Sequence, residues 1–479
     1  MRKEKKPAPV ETESGSPLKA AALALLLLGA LGVGFRVCST RRDVPESRAP
    51  ASDAGDLEDA APTKTAPEPR CTAASPEPFV VGEAPPPRAR ADRDAGADGG
   101  AIEGEAEEEF DELSPFAVEL GRGAAYAGGF AVGALRDGEG GSLAMVATVG
   151  PDGRGGKLVR LGRSRGDYDA PTVTGHGASV LAAMLEPNAG GRAIRVAKVT
   201  GEAVAWGPEL AEGRDESLAV DLAASTTSAI VVWDDVSKDG KRSMVMLASF
   251  DTETMRSIGE ARPVSPPKQD AEAPRLAARP GGYWLAYAAL GGASAPKDED
   301  TGRVGEAINA RWVEIVPLDE GGRAVSLPRA VTPKDGHALA FDLEPSEDGG
   351  VIVAWRDDDT PSGSSGGRVM SVGVRLSGLG EPRLLTEEGS ATGVPDLMPG
   401  WLSLSSLSGA TRIAPMTPRG EIAGELLPEP LLGNGEVLAA TREGILVARP
   451  AGKAMKLSVM RCVAEPPDAG AAEAGAPPP

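Results

Sequence analysis

The 479-residue chain carries a formal net charge of −20 and has a sequence pI of about 4.8. Such an acidic surface repels phosphate backbones, so the composition argues against nucleic acid as a partner. Three cysteines without a Cys-x-x-Cys spacing and two histidines give no zinc signature, and no cofactor is expected.

The N-terminal region predicts a membrane segment. Residues 1–19 are polar and basic, and residues 20–37 open with the uncharged run AAALALLLLGALGVGF. We favour an uncleaved signal-anchor helix over residues 20–37, with Lys19 and Arg36 at the two interfaces. The alternative is a signal peptide that is cleaved. We therefore expect the rest of the chain outside the cytoplasm of a bacterial cell, either anchored in the inner membrane or secreted.

Three segments have a composition typical of disorder. Residues 38–70 are rich in Ala, Pro and charged residues, residues 85–114 contain the acidic run EGEAEEEFDE, and residues 464–479 are rich in Ala and Pro. Their few large apolar side chains cannot offset the entropy lost on ordering. We expect two disordered linkers and a disordered tail.

Residues 115–463 alternate short apolar runs with turns rich in Gly, Pro and Asp. These runs repeat as a unit of three predicted strands, and the second strand of each unit is the most apolar. Its seven copies start at Phe130, Ala178, Ala229, Tyr283, Val351, Trp401 and Ile445. A more polar fourth strand follows most of the third runs.

Seven such units predict an all-β fold, a seven-bladed β-propeller of four-stranded antiparallel blades. A single blade cannot bury both of its faces, whereas a ring buries each face against a neighbouring blade. An array of β-sandwiches is the alternative, but no linker separates the units.

The seventh unit lacks a fourth strand. Residues 71–84 contain the only apolar strand-like segment outside the repeats, so we predict that this segment closes the last blade. In an antiparallel pair, the start of the added strand lies opposite the end of its partner. This places Cys71 near Cys462, and we expect a disulfide between them in an oxidising compartment.

The loops between second and third strands should all project onto one face of the ring, and several of them are acidic. We expect an acidic rim there, formed by Asp137, Glu139, Asp234, Asp235, Asp239, Asp298, Glu299, Asp300, Asp357, Asp358 and Asp359. The rim would suit a basic protein segment or, more weakly, Ca²⁺. The alternative is that hairpin loops favour Asp for local reasons, and no loop has EF-hand spacing.

The repeat resembles the blades of sialidase-like or BNR-type propellers in secreted bacterial proteins. The resemblance is clearest in two stretches, LEPSEDGGVIVAWRDDD and ASTTSAIVVWDDVSKDGKRSMVMLASFD. The sialidase family carries an Asp-box, S-x-D-x-G-x-T-W, between third and fourth strands. Here SEDGG (Ser346–Gly350) matches the first half only and lies between first and second strands. The resemblance implies a propeller without intact Asp-boxes, and it brings no catalytic residue.

No motif for nucleophilic, metal or phosphate chemistry is present in the sequence. We therefore expect that the chain is not an enzyme but a membrane-tethered extracytoplasmic propeller that binds an unknown protein or ligand, or acts as a scaffold. One alternative is a secreted, sialidase-like carbohydrate-active hydrolase with lost or altered motifs. The other is a purely structural envelope protein, because propellers host all three roles.

Overall fold

The computed structural model of the protein describes residues 71–82, 118–136, 142–163, 170–188, 191–213, 219–294, 308–358, 367–386, 392–406, 411–417, 421–422, 427–428, 432 and 435–462. Within these ranges the regular structure is 30 β-strands. The expected signal-anchor helix, linkers and tail lie outside them. Among the described residues, no helix is long and apolar enough to cross a membrane.

The strands form seven antiparallel sheets, which are the blades of a propeller. Blade 1 contains β3 (Val118–Tyr126), β4 (Gly129–Arg136), β5 (Leu143–Val149) and β6 (Lys157–Arg163). Blade 2 contains β7 (Thr172–His176), β8 (Ser179–Asn188), β9 (Gly191–Thr200) and β10 (Ala203–Gly213). Blade 3 contains β11 (Val220–Ala224), β12 (Ser228–Val236), β13 (Ser243–Asp251) and β14 (Arg262–Pro263).

The next three blades repeat this order and, like blade 3, end in very short outer strands. Blade 4 contains β15 (Asp270–Arg279), β16 (Gly282–Ser294), β17 (Ile308–Leu318) and β18 (Arg329–Ala330). Blade 5 contains β19 (Ala338–Pro345), β20 (Val351–Asp357), β21 (Arg368–Arg375) and a divided outer strand, β22 (Gly378–Leu379) and β23 (Arg383–Leu384). Blade 6 contains β24 (Thr392–Met398), β25 (Trp401–Ser406), β26 (Thr411–Pro415) and β27 (Leu427–Pro428).

Blade 7 joins the two ends of the described chain. It contains β28 (Glu436–Thr441), β29 (Gly444–Ala451), β30 (Ala454–Cys462) and an outer strand in two pieces, β1 (Cys71–Ala73) and β2 (Phe79–Val81). Both pieces pair with β30, so the outermost strand of the last blade precedes the first blade in sequence. Cys71 lies opposite Cys462, and a disulfide joins them across 391 positions of sequence.

The second strand of each blade is apolar on both faces because each face contacts a different neighbour. On β8, Val180 and Ala182 pack against blade 1, whereas the alternate residues Leu181 and Ala183 pack against blade 3. Side chains on a strand point alternately to opposite faces, so a continuous apolar run serves two interfaces. This explains why these strands were the clearest repeat in the sequence.

Every interface between neighbouring blades has its own hydrophobic cluster, and the ring is closed by the one between blades 7 and 1. That cluster includes Phe130 and Val132 of blade 1 together with Leu446 and Leu457 of blade 7. The expected all-β seven-bladed propeller with four-stranded antiparallel blades is therefore confirmed.

The two faces of the ring differ in the connections they carry. The turns from first to second and from third to fourth strand lie on one face, which we call the turn face. The loops from second to third strand lie on the other, which we call the loop face. Because β30 ends on the turn face, the chain enters the propeller there at Cys71.

Candidate functional site

The first strand of several blades carries a polar residue that reaches the first strand of the next blade. Asp221 on β11 accepts hydrogen bonds from the backbone N–H of Leu222, at 2.9 Å, and of Leu276 in blade 4, at 2.7 Å. Asp342 on β19 accepts one from Leu397 N–H in blade 6, at 2.7 Å. These aspartates therefore connect the first strands of neighbouring blades through hydrogen bonds around the axis.

Arg122 on β3 extends this arrangement across the ring. Its guanidinium lies 2.8 and 2.9 Å from the two carboxylate oxygens of Asp342, and it also donates to the Leu397 carbonyl at 3.0 Å. Blades 1 and 5 are not neighbours, so this two-point ion pair spans the axis. The Arg122 side chain is 35% exposed and that of Asp342 only 4%. A planar guanidinium suits such paired contacts with a carboxylate.

An axial cavity of about 300 Å³ lies at this level of the ring, lined by first-strand residues of all seven blades. Its charged lining residues are Arg122, Asp221 and Glu344. The lining comes from the second halves of the first strands, so the cavity belongs to the turn face. Ligand sites are usually concave, with apolar walls and a few convergent polar groups, and this cavity has both but a larger polar share.

Burial and mutual proximity shift the ionisation of the axial groups. Burial raises the pKa of Glu344 to about 8 against the opposing effect of Arg122, and Asp342 adds to the rise. Burial and then Asp342 raise the pKa of Asp396 to about 7. Burial also raises the pKa of Asp221, although Arg275 and Arg122 oppose it. Desolvation disfavours a charged carboxylate, as does a neighbouring carboxylate.

The charge of Arg122 is itself held firmly. Burial by itself lowers the pKa of Arg122, but nearby carboxyl groups, Asp342 foremost, raise it above its ordinary value. The axis is thus a site where carboxyl groups titrate near neutral pH around a fixed guanidinium. Perturbed pKa values of this kind cluster at functional sites, although structural ion pairs also produce them.

This site was not predicted from the sequence, although the first strands contain a pattern for it. The first strands contain a charged residue before an apolar one in VDL (220–222), PRL (274–276), FDL (341–343) and PDL (395–397). A charge at a fixed place in otherwise apolar strands predicts a shared polar environment. Only the ring geometry shows that this environment is the axis.

Five of the predicted rim acids lie among the described residues, and most are engaged within the fold. Asp234 is buried and accepts from Ala219 N–H at 2.6 Å and from Ala273 N–H at 2.9 Å. Asp235 is buried and accepts from Val236 N–H, whereas Asp239 is exposed and accepts from the Ser237 hydroxyl.

The remaining two described rim acids pair with arginines. Asp357 lies 3.0 Å from Arg368 Nη2, and buried Asp358 lies 2.7 Å from Arg356 Nη2. The other six lie outside the described residues, namely Asp137, Glu139, Asp298, Glu299, Asp300 and Asp359. Within the described part of the chain, no three His, Cys, Asp or Glu side chains come together as a metal site.

The buried tyrosines lie within the blades rather than at the axis. Tyr287 donates to Glu314 Oε2 at 3.0 Å, and Trp312 Nε1 donates to Glu314 Oε1 at 2.9 Å. Burial, and then Glu314, raise the pKa of the Tyr287 phenol. Tyr283 is also buried and donates to the Ser228 carbonyl. No tyrosine lines the described axial cavity, so the tyrosine and acid pairing of a sialidase is not found there.

The chain is similar to several solved structures at low identity. No protein-family model matches the chain, and no curated protein matches it. Among solved structures, the β-propeller domain of the Trilobed protease from Pyrococcus furiosus has a TM-score of 0.45 at 10% identity, over 72% of this chain and 93% of that one. A subtype N10 neuraminidase-like protein of A/little yellow-shouldered bat/Guatemala/060/2010 has a TM-score of 0.35 at 9% identity, over 62% and 92%.

Pyrococcus horikoshii acylaminoacyl peptidase has a TM-score of 0.44 at 11% identity, over 71% of this chain and 51% of that one. The chain thus spans about half the length of that peptidase. The prediction from the sequence that the chain is not an enzyme is wrong, because peptidases are among the proteins with a similar propeller. At these identities the likeness concerns the fold and transfers no catalytic residue.

Proposed function

We propose that the chain is an extracytoplasmic β-propeller, held at the inner membrane through residues 20–37, that binds a ligand or partner at the ring axis. The observation that supports the binding role is the axial cavity, where Arg122, Asp221 and Glu344 converge between small apolar walls. The cavity belongs to the turn face, where the chain enters the propeller.

The location outside the cytoplasm is supported by the disulfide. Cys71 and Cys462 are both buried, and disulfides persist mainly in oxidising compartments. The membrane attachment is supported by the apolar sequence of residues 20–37. Secretion after cleavage of that segment is the alternative.

Membrane attachment is tested by fractionation of cells that express the full chain. We expect the protein in the membrane fraction with its original N-terminus, and in the soluble extracytoplasmic fraction when residues 20–37 are deleted and replaced by a cleavable signal peptide. Deletion of residues 42–59, an equally long piece of the linker, is the matched control and should leave the protein in the membrane. A soluble mature form that lacks residues 20–37 would instead establish secretion.

The binding role is tested by a thermal-shift screen of the full chain against a library of small molecules. Because a ligand that binds only the folded state stabilises it, compounds that occupy the cavity should raise the melting temperature. We expect these shifts to disappear in Ala224→Phe, which fills the cavity, and to persist in Ala203→Phe, which places the same ring at an exposed strand end. Shifts that survive Ala224→Phe would place binding elsewhere.

A hydrolase is a second candidate, favoured by one observation. Glu344 and Asp396 have pKa values of about 8 and about 7, so one axial carboxyl can be protonated while another is ionised near neutral pH. Acid and base catalysis by two carboxyl groups needs that combination. Turnover of fluorogenic glycosides or peptides, lost in both Glu344→Gln and Asp396→Asn, would support this candidate; turnover that both variants retain would exclude an axial active site.

A further inference from the structure

The axial cavity has walls of small apolar residues. Four of the seven first strands contribute a pair of alanines to the lining: Ala124 and Ala125, Ala223 and Ala224, Ala277 and Ala278, and Ala439 and Ala440. Larger side chains at these positions would fill the axis. The structure therefore keeps open a space of about 300 Å³, whose surface is shared between these apolar walls and polar groups.

The axis carries more carboxyl groups than its cations and backbone donors neutralise. Asp342 is neutralised by Arg122, and Asp221 is satisfied by two backbone N–H groups. Among the described residues, Glu344 and Asp396 have no hydrogen-bond donor and no ion-pair partner. Glu344 lines the cavity and is mostly buried. Both side chains are half-buried and incompletely hydrated, so a cation at the axis would stabilise their ionised forms.

We propose that the axial cavity binds an organic cation, a primary ammonium group on a short apolar body, with Glu344 as the acceptor. Asp396 lies near the ion pair of Arg122 and Asp342 rather than in the lining, and it adds negative charge to the axis. The inference deepens the proposed binding role and depends on it, but it is independent of the membrane location. It assigns to the site a class of ligand that the fold alone does not imply.

The alternatives to an organic cation fit less well. An anion would find Arg122 already paired in two-point contact with Asp342 and would face the remaining carboxyl groups. A metal ion would need several ligands together, and the described residues bring no three His, Cys, Asp or Glu side chains into such a group. An ammonium group supplies the donors that Glu344 lacks, and its apolar body matches the alanine walls.

Binding should depend on pH, because Glu344 must be ionised to accept the ammonium group. Arg122 and Asp342 act on Glu344 directly, and Glu347 and Arg442 line a neighbouring pocket with it. The other charged groups at the axis are Asp221, Arg275, Asp396 and Glu436. The pKa of Glu344 is about 8, so the ionised fraction rises steeply between pH 6 and pH 8. If only the ionised form binds, the apparent Kd falls about 50-fold over that interval.

The test is isothermal titration of the full chain, in a non-ionic detergent, with phenethylammonium chloride at pH 6 and pH 8. We expect binding that tightens by 10- to 50-fold at pH 8 and is absent for 2-phenylethanol, the neutral analogue of the same shape. A second probe, N-acetyl-lysinamide, distinguishes a free amine from a lysine side chain of a partner as the source. Equal binding of phenethylammonium and 2-phenylethanol, or no binding of either amine, would overturn the proposal.

Variants separate the site from general electrostatics. We expect Glu344→Gln to weaken phenethylammonium binding at least 10-fold at pH 8 and to abolish its pH dependence. The matched control, Glu320→Gln, removes an exposed acid from the turn face in blade 4 and should bind as the wild type does. If Glu344→Gln does not fold, Asp396→Asn replaces it and should weaken binding several-fold. Unchanged affinity for phenethylammonium in whichever of these variants folds would refute the assignment of an organic cation to the cavity. The proposed binding role would still stand if compounds of another chemistry raise the melting temperature and Ala224→Phe abolishes that rise.

Discussion

Removal of the disulfide should test both the closure of the ring and the compartment it implies. The change is the double substitution Cys71→Ala and Cys462→Ala, which leaves no unpaired thiol at the site. The bridge closes a loop of 391 positions. In the chain-entropy model, release of such a loop lowers the free energy of unfolding by about 6 kcal/mol at 25 °C. Residual structure in the unfolded chain reduces this value, so we expect a measured loss of about 3–6 kcal/mol.

The assay is equilibrium unfolding in guanidinium chloride, followed by tryptophan fluorescence. Trp233, Trp284 and Trp401 are fully buried in blades 3, 4 and 6, so their emission reports the blades directly. Cys38→Ala, which changes the third cysteine, is the control and should unfold as the wild type does.

The magnitude also depends on the packing around the bridge. Cys71 and Cys462 both belong to the cluster between blades 6 and 7, with Met460 and Trp401, so the alanines also remove buried contacts. A loss below about 1 kcal/mol would contradict this prediction, because it would mean that pairing of β1 and β2 with β30 closes the ring without help from the covalent bond.

Three further predictions concern the axis and the contacts between blades. Arg122→Met should lower the free energy of unfolding by about 2–3 kcal/mol in a urea titration, since it leaves Asp342 buried without its cation. The control Arg375→Met breaks an exposed pair with Asp348 and should cost less than about 1 kcal/mol. Equal losses in the two variants would contradict a stabilising role of the axial ion pair. The pKa values of Glu344 and Asp396 are higher in the folded state than in the unfolded chain, so the folded state binds more protons between about pH 4 and pH 8. These two groups therefore make the free energy of unfolding fall as pH rises through that window. Glu344→Gln should reduce this fall, measured as the urea midpoint at each pH, and an unchanged pH dependence would contradict the prediction. Gly133→Ala should lower the free energy of unfolding by about 1–3 kcal/mol, and with it the melting temperature, because the new Cβ would lie against the Pro171 backbone of blade 2. The control Gly373→Ala places its Cβ in open space and should change the melting temperature little. Similar melting temperatures for both variants would show that blades 1 and 2 can separate at no cost.

The role of the loop-face acids changed once the structure placed them. Sequence reasoning grouped Asp234, Asp235 and Asp358 as rim residues because all three lie where second strands end. In the fold, their side chains point into the body of the propeller and accept from backbone N–H groups or pair with an arginine. A loop position predicts the face of the ring but not whether the side chain turns outward.

The number of blades, the starts of their second strands and the closure of the ring could all be read from the amino-acid sequence. These follow from local patterns: the starts of the second strands at Tyr283, Val351 and Trp401 lie within one residue of β16, β20 and β25. Each blade is a local unit whose apolar run must serve two interfaces, so the run is visible in every repeat. The pairing of Cys71 with Cys462 needed only the missing fourth strand and the antiparallel rule.

Which charges meet at the axis could not be read from the sequence, because the folded ring sets it. Arg122 and Asp342 are 220 residues apart and belong to blades that are not neighbours, so no local spacing relates them. Their contact depends on the diameter of the closed ring and on the reach of one guanidinium across it. The same closure raises the pKa values of Glu344 and Asp396, because burial and crowding of carboxyl groups arise only when seven first strands converge.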